Sequence, residues 1–303
     1  MTAATNRPPD ISVIIPTYNR YDQLLATCRY LMSQDEVSFE ILLIDQTPNE
    51  QRKDITLSDV RYFTQETPSA SAARNLGLRK AYADIVLFLD DDVIIDDSKF
   101  LLKHLRHYRD PKVLGVAGAA PDLGQETSYR RHRFYRESGL GWAYFPSNQG
   151  SQAWLRVGRS NNLSVRRMEA ISCGGMDQQF EKGAHREEAD FGLRLNPNSA
   201  GFIYDPFADL VHVGSATGGI RSWQSQDSPK AIHHMVGDLY CMRRNVPMTQ
   251  RPEYLLLSLR YFVFPRGLRT PFRFWTAALK QYLKAWSVAD SKIQEGPKFI
   301  SEG

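Results

Sequence analysis

Short, continuous apolar runs alternate along the first half of the chain with stretches whose apolar positions recur every three or four residues. Ile11-Ser12-Val13-Ile14-Ile15, stopped by Pro16, reads as a buried strand. Leu24, Leu25, Cys28 and Leu31 then repeat at helical spacing within 21–33. Residues 39–44 predict a second strand that ends at Asp45, and 60–63 a short third one. The stretch 72–82 is rich in helix formers, with Ser69 or Ser71 placed to cap it. Residues 85–89 form a further apolar strand that runs straight into Asp90-Asp91-Asp92. A helix over 99–108 and a strand over 113–117 follow.

Strands without a polar face, alternating with amphipathic helices, imply an α/β fold: a mostly parallel, twisted sheet with helices on both faces. Ligands bind such sheets beyond the carboxyl ends of the strands. Thr17, Tyr18, Asn19, Asp45 and the three aspartates all fall there. The pattern weakens over 121–151, where glycines, aromatics and the basic cluster Arg130, Arg131 and Arg133 fit either an irregular excursion over the site or a strand pair. Regular signals return over 161–167, at Gly174-Gly175 and in a helix beginning near Glu187. From 227 onward the chain reads as helical, and no internal repeat occurs.

Composition narrows the classes. A chain of 303 residues with 42% hydrophobic residues folds around a substantial core. Its net charge of +4 is too small to imply nucleic-acid binding by itself. Cys28, Cys173 and Cys241 are odd in number and form no CxxC pair, which argues against a disulfide framework or a cysteine zinc site and for a reducing compartment. No apolar run in 1–10 resembles a leader, and no stretch approaches the ~20 residues of a membrane span. The expectation is a cytoplasmic protein, with room for peripheral contact at the inner face of a membrane.

The aspartate run is the strongest chemical feature. Three adjacent carboxylates at the edge of an apolar core repel one another unless a cation neutralises them, and oxygen ligands in this number suit magnesium or manganese. The plainer alternative is a solvated acidic turn that caps the next helix through Asp96 or Asp97.

With these residues in view, the chain resembles the family 2 glycosyltransferases, which have the GT-A fold. Ile14-Ile15-Pro16-Thr17-Tyr18-Asn19-Arg20 looks like the family's opening strand and loop. Ile44-Asp45, Ala73-Arg74-Asn75-Leu76-Gly77, Phe88-Leu89-Asp90-Asp91-Asp92 and Glu187-Glu188-Ala189-Asp190-Phe191 follow in family order. The resemblance covers roughly 11–219. It implies an inverting transferase that moves a sugar from a nucleoside-diphosphate donor to an acceptor hydroxyl with a divalent cation, manganese or magnesium. By the same resemblance, Pro16, Thr17 and Tyr18 line the base pocket and Asp45 bonds the base. Arg74 lies near the base or diphosphate, and Asp91 faces the ribose. Asp90 and Asp92 form the DxD metal motif, with Asp92 the direct ligand and His212 a candidate to complete the shell.

Inversion needs a base opposite the leaving group. The family usually has Glu-Asp where this chain has Glu187-Glu188, so Glu188 takes the matching place and Glu187 is the alternative. An ordinary helix surface, with ion pairs among Glu187, Asp190 and Arg194, is the bland reading of the same segment. Gly174-Gly175-Met176-Asp177 is similar to the family's Gly-Gly-Phe-Asp loop, with Gly175 free to approach a ligand. Of Asn161-Asn162-Leu163, Asn162 is chosen as the asparagine near the donor sugar, and His185 as a residue lining the acceptor site.

The pattern along the chain, taken with the resemblance, divides it into a flexible tail over 1–10, a catalytic domain over 11–226 and a helical appendage over 227–303. The catalytic domain splits into a nucleotide-binding half, 11–120, and an acceptor half, 121–226. Between Arg260 and Lys284 six basic residues are interleaved with aromatics and no acid occurs, which suits either an anionic membrane interface or a helical pair with its cations in water. Nucleic acid competes for that composition but has no other support. Acceptors on polysaccharide, glycolipid or protein all fit. A nucleotidyltransferase is disfavoured because the loop after the first strand has no glycine, and the lack of GxGxxG disfavours a dinucleotide enzyme. A non-catalytic sugar-nucleotide-binding module is disfavoured because metal aspartates and a base candidate are both present.

Overall fold

The computed structural model describes residues 7–55, 57, 60–125, 150, 152–182, 185–197, 201–214, 219 and 229–300. The cluster Arg130, Arg131 and Arg133, most of the expected excursion over 121–151 and the boundary at 226 lie outside the described residues.

The first half follows the hydrophobic pattern closely. Strand β1 (Ile11–Thr17) leads to helix α1 (Tyr21–Met32), β2 (Phe39–Asp45) and β3 (Val60–Thr64). Helix α2 (Ala70–Lys80) is capped by Ser69, whose hydroxyl accepts from the Ala72 amide. Then come β4 (Ile85–Leu89), β5 (Val93–Ile94), α3 (Phe100–Leu105) and β6 (Gly115–Gly118). The expected helix over 99–108 is shorter than its pattern, because α3 tightens into a 3-10 turn at Arg106–Arg109. The second half adds β7 (Ala153–Leu155), β8 (Asn162–Arg166), α4 (Arg167–Ser172), α5 (Glu187–Leu195), β9 (Phe202–Asp205) and β10 (Val211–His212). Three helices close the chain: α6 (Ile232–Asn245), α7 (Arg251–Phe262) and α8 (Phe272–Glu295).

Eight strands form one sheet in the order β3-β2-β1-β4-β8-β6-β9-β7. From β3 to β4 the pairing is parallel, β8 runs antiparallel to both of its neighbours, and β9 returns parallel to β6. The alternation of side chains divides the core between the two faces. Val13, Ile15, Leu43 and Leu87 pack with Leu24, Cys28 and Phe100 on one face. Ile14, Leu42, Val86 and Phe88 pack with Ala73, Leu78 and Phe191 on the other.

The C-terminal helices pack on α5 and the loop before it. Phe180 and Ala189 belong to the same apolar cluster as Leu239, Tyr240, Tyr254 and Tyr282 of α6–α8. After α8 the chain returns to the sheet domain: the Ile300 amide donates to the Gly174 carbonyl at 2.9 Å, and the Ile300 side chain enters the second face's core. That return decides what the glycine pair is for. A Cβ on Gly175 would lie 2.4 Å from Ile300 Cδ1 and 2.6 Å from Asn75 Oδ1, and both glycines have positive φ. Gly175, expected to admit a ligand, instead admits the C-terminal tail.

Candidate active site

The carboxyl ends of β1, β2 and β4 converge with the start of α5 and the short strand β10. Register explains part of this: Thr17 is level with Asp45 across the β1–β2 pair. After Leu89 the backbone turns sharply, and β5 pairs antiparallel with β10, setting His212 against Val93. The Val213 amide donates to the Asp92 carbonyl at 2.9 Å, which ties the histidine strand to the aspartate run.

His212 Nε2 lies 3.4 Å from Asp92 Oδ1 and 3.9 Å from Asp90 Oδ2, while its Nδ1 meets Asp122 Oδ1 at 3.0 Å. The Asp92 carboxylate raises the imidazole to about 9 against the effect of burial, and Asp90 and Asp122 add to it. One ligand atom from each of Asp90, Asp92 and His212 falls within a 4.8 Å sphere of separation, so the three can hold one metal ion. Two carboxylates and an imidazole suit manganese or magnesium with diphosphate oxygens and water completing the shell.

Asp91 turns the other way. Its Oδ2 accepts from Thr17 Oγ1 at 2.7 Å, and Arg20 Nη1 reaches its Oδ1 at 3.3 Å and Asp92 Oδ2 at 3.0 Å. Burial raises Asp91 to about 7 even with Arg20 beside it, and Asp92 and Asp90 push the same way. Asp90, Asp91 and Asp92, with Glu187 on Arg74 and Asp122 on His212, are five carboxylates around three cations, Arg20, Arg74 and His212, and a divalent cation fits that surplus of negative charge. Arg20 was present in the first motif but its role was not legible there: only the fold brings it onto the aspartates.

Arg74 joins the two halves of the site. From α2 its guanidinium reaches Asp90 Oδ1 at 3.3 Å and Glu187 Oε1 at 2.9 Å, and Ser71 Oγ donates to Glu187 Oε2 at 3.0 Å. Glu187 is thereby buried and committed. Glu188 is half-buried and meets Ser160 Oγ at 3.2 Å, so the two adjacent glutamates have different duties. Helix α5 starts from Arg186, whose φ of 76° is left-handed and is secured by its side-chain bond to Asp238 at 2.9 Å. Asn19, with φ 52°, supplies the corresponding bend after β1, where asparagine tolerates that conformation.

Two sequence expectations, for Asp45 and Asn162, take a different form. Asp45 is fully engaged: Tyr21 and Tyr62 hydroxyls donate to its Oδ2 at 2.8 and 2.7 Å, and the Thr47 amide to its Oδ1 at 2.8 Å. Asn162 is engaged as well. Its Nδ2 donates to the Ala119 and Ala208 carbonyls at 3.0 and 2.9 Å, and its Oδ1 takes the His104 Nε2 proton at 3.0 Å. The neighbouring Asn161 is only 4% exposed, and neither amide atom has a hydrogen-bond partner among the described residues. It sits one residue beyond the Leu89–Asn162 pair, beside the aspartate run, and next to the Ser160 that meets Glu188. The bland expectation for α5 holds in part: Asp190 pairs with Arg194 at 2.9 Å. Tyr18 and Pro16 are half-buried at the end of β1, and the Tyr18 carbonyl accepts from Gly219 at 2.9 Å. His185 stacks on Tyr261 of α7 with ring centroids 5.7 Å apart.

The family model described as "Glycosyl transferase family 2" matches residues 12–175, more than half of the chain. The chain belongs to glycosyltransferase family 2. Among curated relatives, the O-antigen biosynthesis protein RfbC of Myxococcus xanthus is 26% identical over 227 residues, covering 69% of this chain and 18% of the relative. The chain spans 15–19% of the length of the first curated glycosyltransferase relatives it matches. Among solved structures, the mannosyltransferase PcManGT of Pyrobaculum calidifontis, in complex with GDP-Man and Mn2+, superposes with a TM-score of 0.56 at 16% identity, covering 94% of this chain and 76% of that one. TarS of S. aureus with UDP-GlcNAc gives 0.58 at 15%, covering 93% and 83%. At such identities the likeness is one of fold, and these neighbours are GT-A glycosyltransferases. This family 2 glycosyltransferase carries its Asp90–Asp92 pair at the end of β4.

Proposed function

We propose that the protein transfers a sugar, with inversion, from a nucleoside-diphosphate donor to an acceptor hydroxyl, in the assembly of a polysaccharide or glycoconjugate. The observation that carries this is the Arg74 clamp: one guanidinium spans Asp90 of the metal-ligand group and Glu187, so Glu188 projects from a helix start fixed beside the aspartates. The acceptor oxygen attacks the anomeric carbon, the bond from that carbon to the diphosphate oxygen breaks, and the acceptor proton passes to the Glu188 carboxylate. Glu187 orients Arg74 and is not the base. Asp90, Asp92 and His212 would hold a divalent cation, which supplies Lewis-acid neutralisation of the departing diphosphate.

Thr17, Tyr18 and Pro16 line the base side, with Asp45 behind them. Asp91 and Arg20 stand towards the ribose and diphosphate, and Asn161 replaces Asn162 as the amide that meets the donor sugar. The Mn2+ in the complex of PcManGT supports manganese, and the name of the Myxococcus relative supports a growing polysaccharide as acceptor. Three free cysteines support a reducing compartment. Residues 260–284 would meet the inner face of a membrane.

The test is a thermal-shift panel of nucleoside diphosphates with and without manganese. A ligand that binds only the folded state raises its apparent stability. The expected result is one preferred base whose shift requires manganese and disappears in Asp92→Ala. A panel in which no nucleoside diphosphate shifts the wild-type protein overturns the proposal.

A further inference from the structure

The turn between α7 and α8 gathers side chains that the transfer reaction does not use. The Phe264 and Phe272 rings lie 6.0 and 4.9 Å from Trp275, so one aromatic of the turn and two of the first turn of α8 form one cluster. Phe272 is 69% exposed and Phe264 37%. Arg266, Arg269 and Arg273, all exposed, flank the cluster, and no acidic residue occurs between Arg260 and Lys284. Lys280, Leu283 and Lys284 continue the exposed basic and apolar character along α8.

We propose that this tip is a docking surface for an anionic lipid bilayer. A lipid interface offers both things the tip presents: an apolar layer for Phe264 and Phe272, and negative headgroups for the arginines. A nucleic-acid strand would use open ring faces for stacking, but Phe272 meets Trp275 edge to face at 86°, so the aromatics are turned towards each other. A symmetric contact between two copies would set one cationic tip against another. The surface also has a direction. Tyr261, at the end of α7, stacks on His185, three residues before Glu188, so a lipid-borne acceptor bound at the tip is delivered to the base side of the site. That last step rests on the proposed transfer reaction, whereas lipid binding itself does not.

The experiment is vesicle flotation of the whole chain with phosphatidylcholine alone and with phosphatidylcholine and phosphatidylglycerol in equal parts. Binding is expected only with the anionic vesicles and falls as salt rises. Each basic residue near such a surface contributes about fivefold in partitioning, so Arg266→Glu with Arg269→Glu and Arg273→Glu weakens it by at least about 10²-fold. Phe272→Ser weakens it further, with an unchanged melting temperature and unchanged nucleoside-diphosphate shift as proof of folding. Asp92→Ala floats like the wild type, which separates this inference from the catalytic one. Equal flotation with neutral vesicles, no flotation at all, an indifferent triple variant, or a tip that instead binds oligonucleotide or dimerises the chain would overturn it.

Discussion

Two groups of aspartates, one at the end of β4 and one where α5 meets α6, obey opposite rules. In the helical region, Asp238 accepts from Arg186, Tyr254 and Ser258, and Asp190 accepts from Arg194, Arg244 and Asn245. Every oxygen there has a donor, and each carboxylate meets an arginine. At the end of β4 the three aspartates compete with Glu187 and Asp122 for Arg20, Arg74 and His212, and burial leaves Asp91 raised to about 7. Saturated acids fasten α5, α6 and α7 to one another. Acids left in surplus are suited to a charge that arrives with the substrate.

The largest effects separate the two groups by activity. Glu188→Gln and Asp92→Ala are expected to lower turnover by at least ~10²–10⁴-fold, the usual worth of a positioned base and a comparable floor for loss of the metal. Glu188→Gln keeps its manganese-dependent nucleotide shift and Asp92→Ala loses it. Glu187→Gln, by contrast, costs stability as well as rate, since it strands Arg74. A Glu188→Gln enzyme with undiminished turnover would remove that residue from the mechanism.

The same substitution should have opposite signs in the two groups. Asp238→Asn weakens the charged hydrogen bond to the half-buried Arg186 and is expected to cost about 1.5–3 kcal/mol in urea unfolding. Asp91 has its folded pKa raised, so its favourable contribution is complete below about 4 and lost as pH rises through about 7. At pH 8 without metal, Asp91→Asn is therefore expected to melt no lower than wild type, while binding nucleotide and manganese more weakly. A large loss of metal-free stability at that pH would make Asp91 a fastening group like Asp238.

Much of this was readable in the chain. Strand β4 and its aspartates stand at the positions their apolar run dictates, because a five-residue run apolar on both faces has one stable place, the sheet centre. Strands β5 and β10, two residues each, carry no period that a sequence can display, so the pairing that brings His212 to Asp92 appears only in three dimensions. The glycine pair was legible as a close approach, but its partner, the returning tail with Ile300, lies too far along the chain for local pattern to find. Arg20 and the tyrosines on Asp45 were missed for the same reason: hydrogen-bond saturation is a property of the fold.

His104 offers a pH test of the saturated kind. Burial lowers its imidazole to about 4, and its ring lies between Ser164 Oγ at 2.9 Å and Asn162 Oδ1 at 3.0 Å. The unfolded chain takes up a proton near pH 6.5 that the folded protein refuses until about 4, so stability falls across that window as pH drops. The expected loss is about 3 kcal/mol. His104→Gln should flatten the dependence between those limits; an unaltered slope would mean the imidazole is protonated in the fold.

The finest discrimination is between neighbours of one residue type. Asn162 holds two carbonyls and a histidine, and Asn162→Ala strands all three, at an expected cost of about 1–3 kcal/mol. Asn161 is just as buried and holds nothing among the described residues, so Asn161→Leu removes an amide whose desolvation the fold does not recover. Its metal-free melting temperature should equal or exceed that of wild type. Its manganese-dependent shift with a nucleotide sugar should shrink, while the shift with the bare nucleoside diphosphate stays. That split assigns the amide to the sugar, because a structural asparagine would lower both stability and every ligand shift together. If Asn161→Leu melts early and binds both ligands equally poorly, the two asparagines belong to one structural network, and the surplus at the end of β4 is confined to its carboxylates.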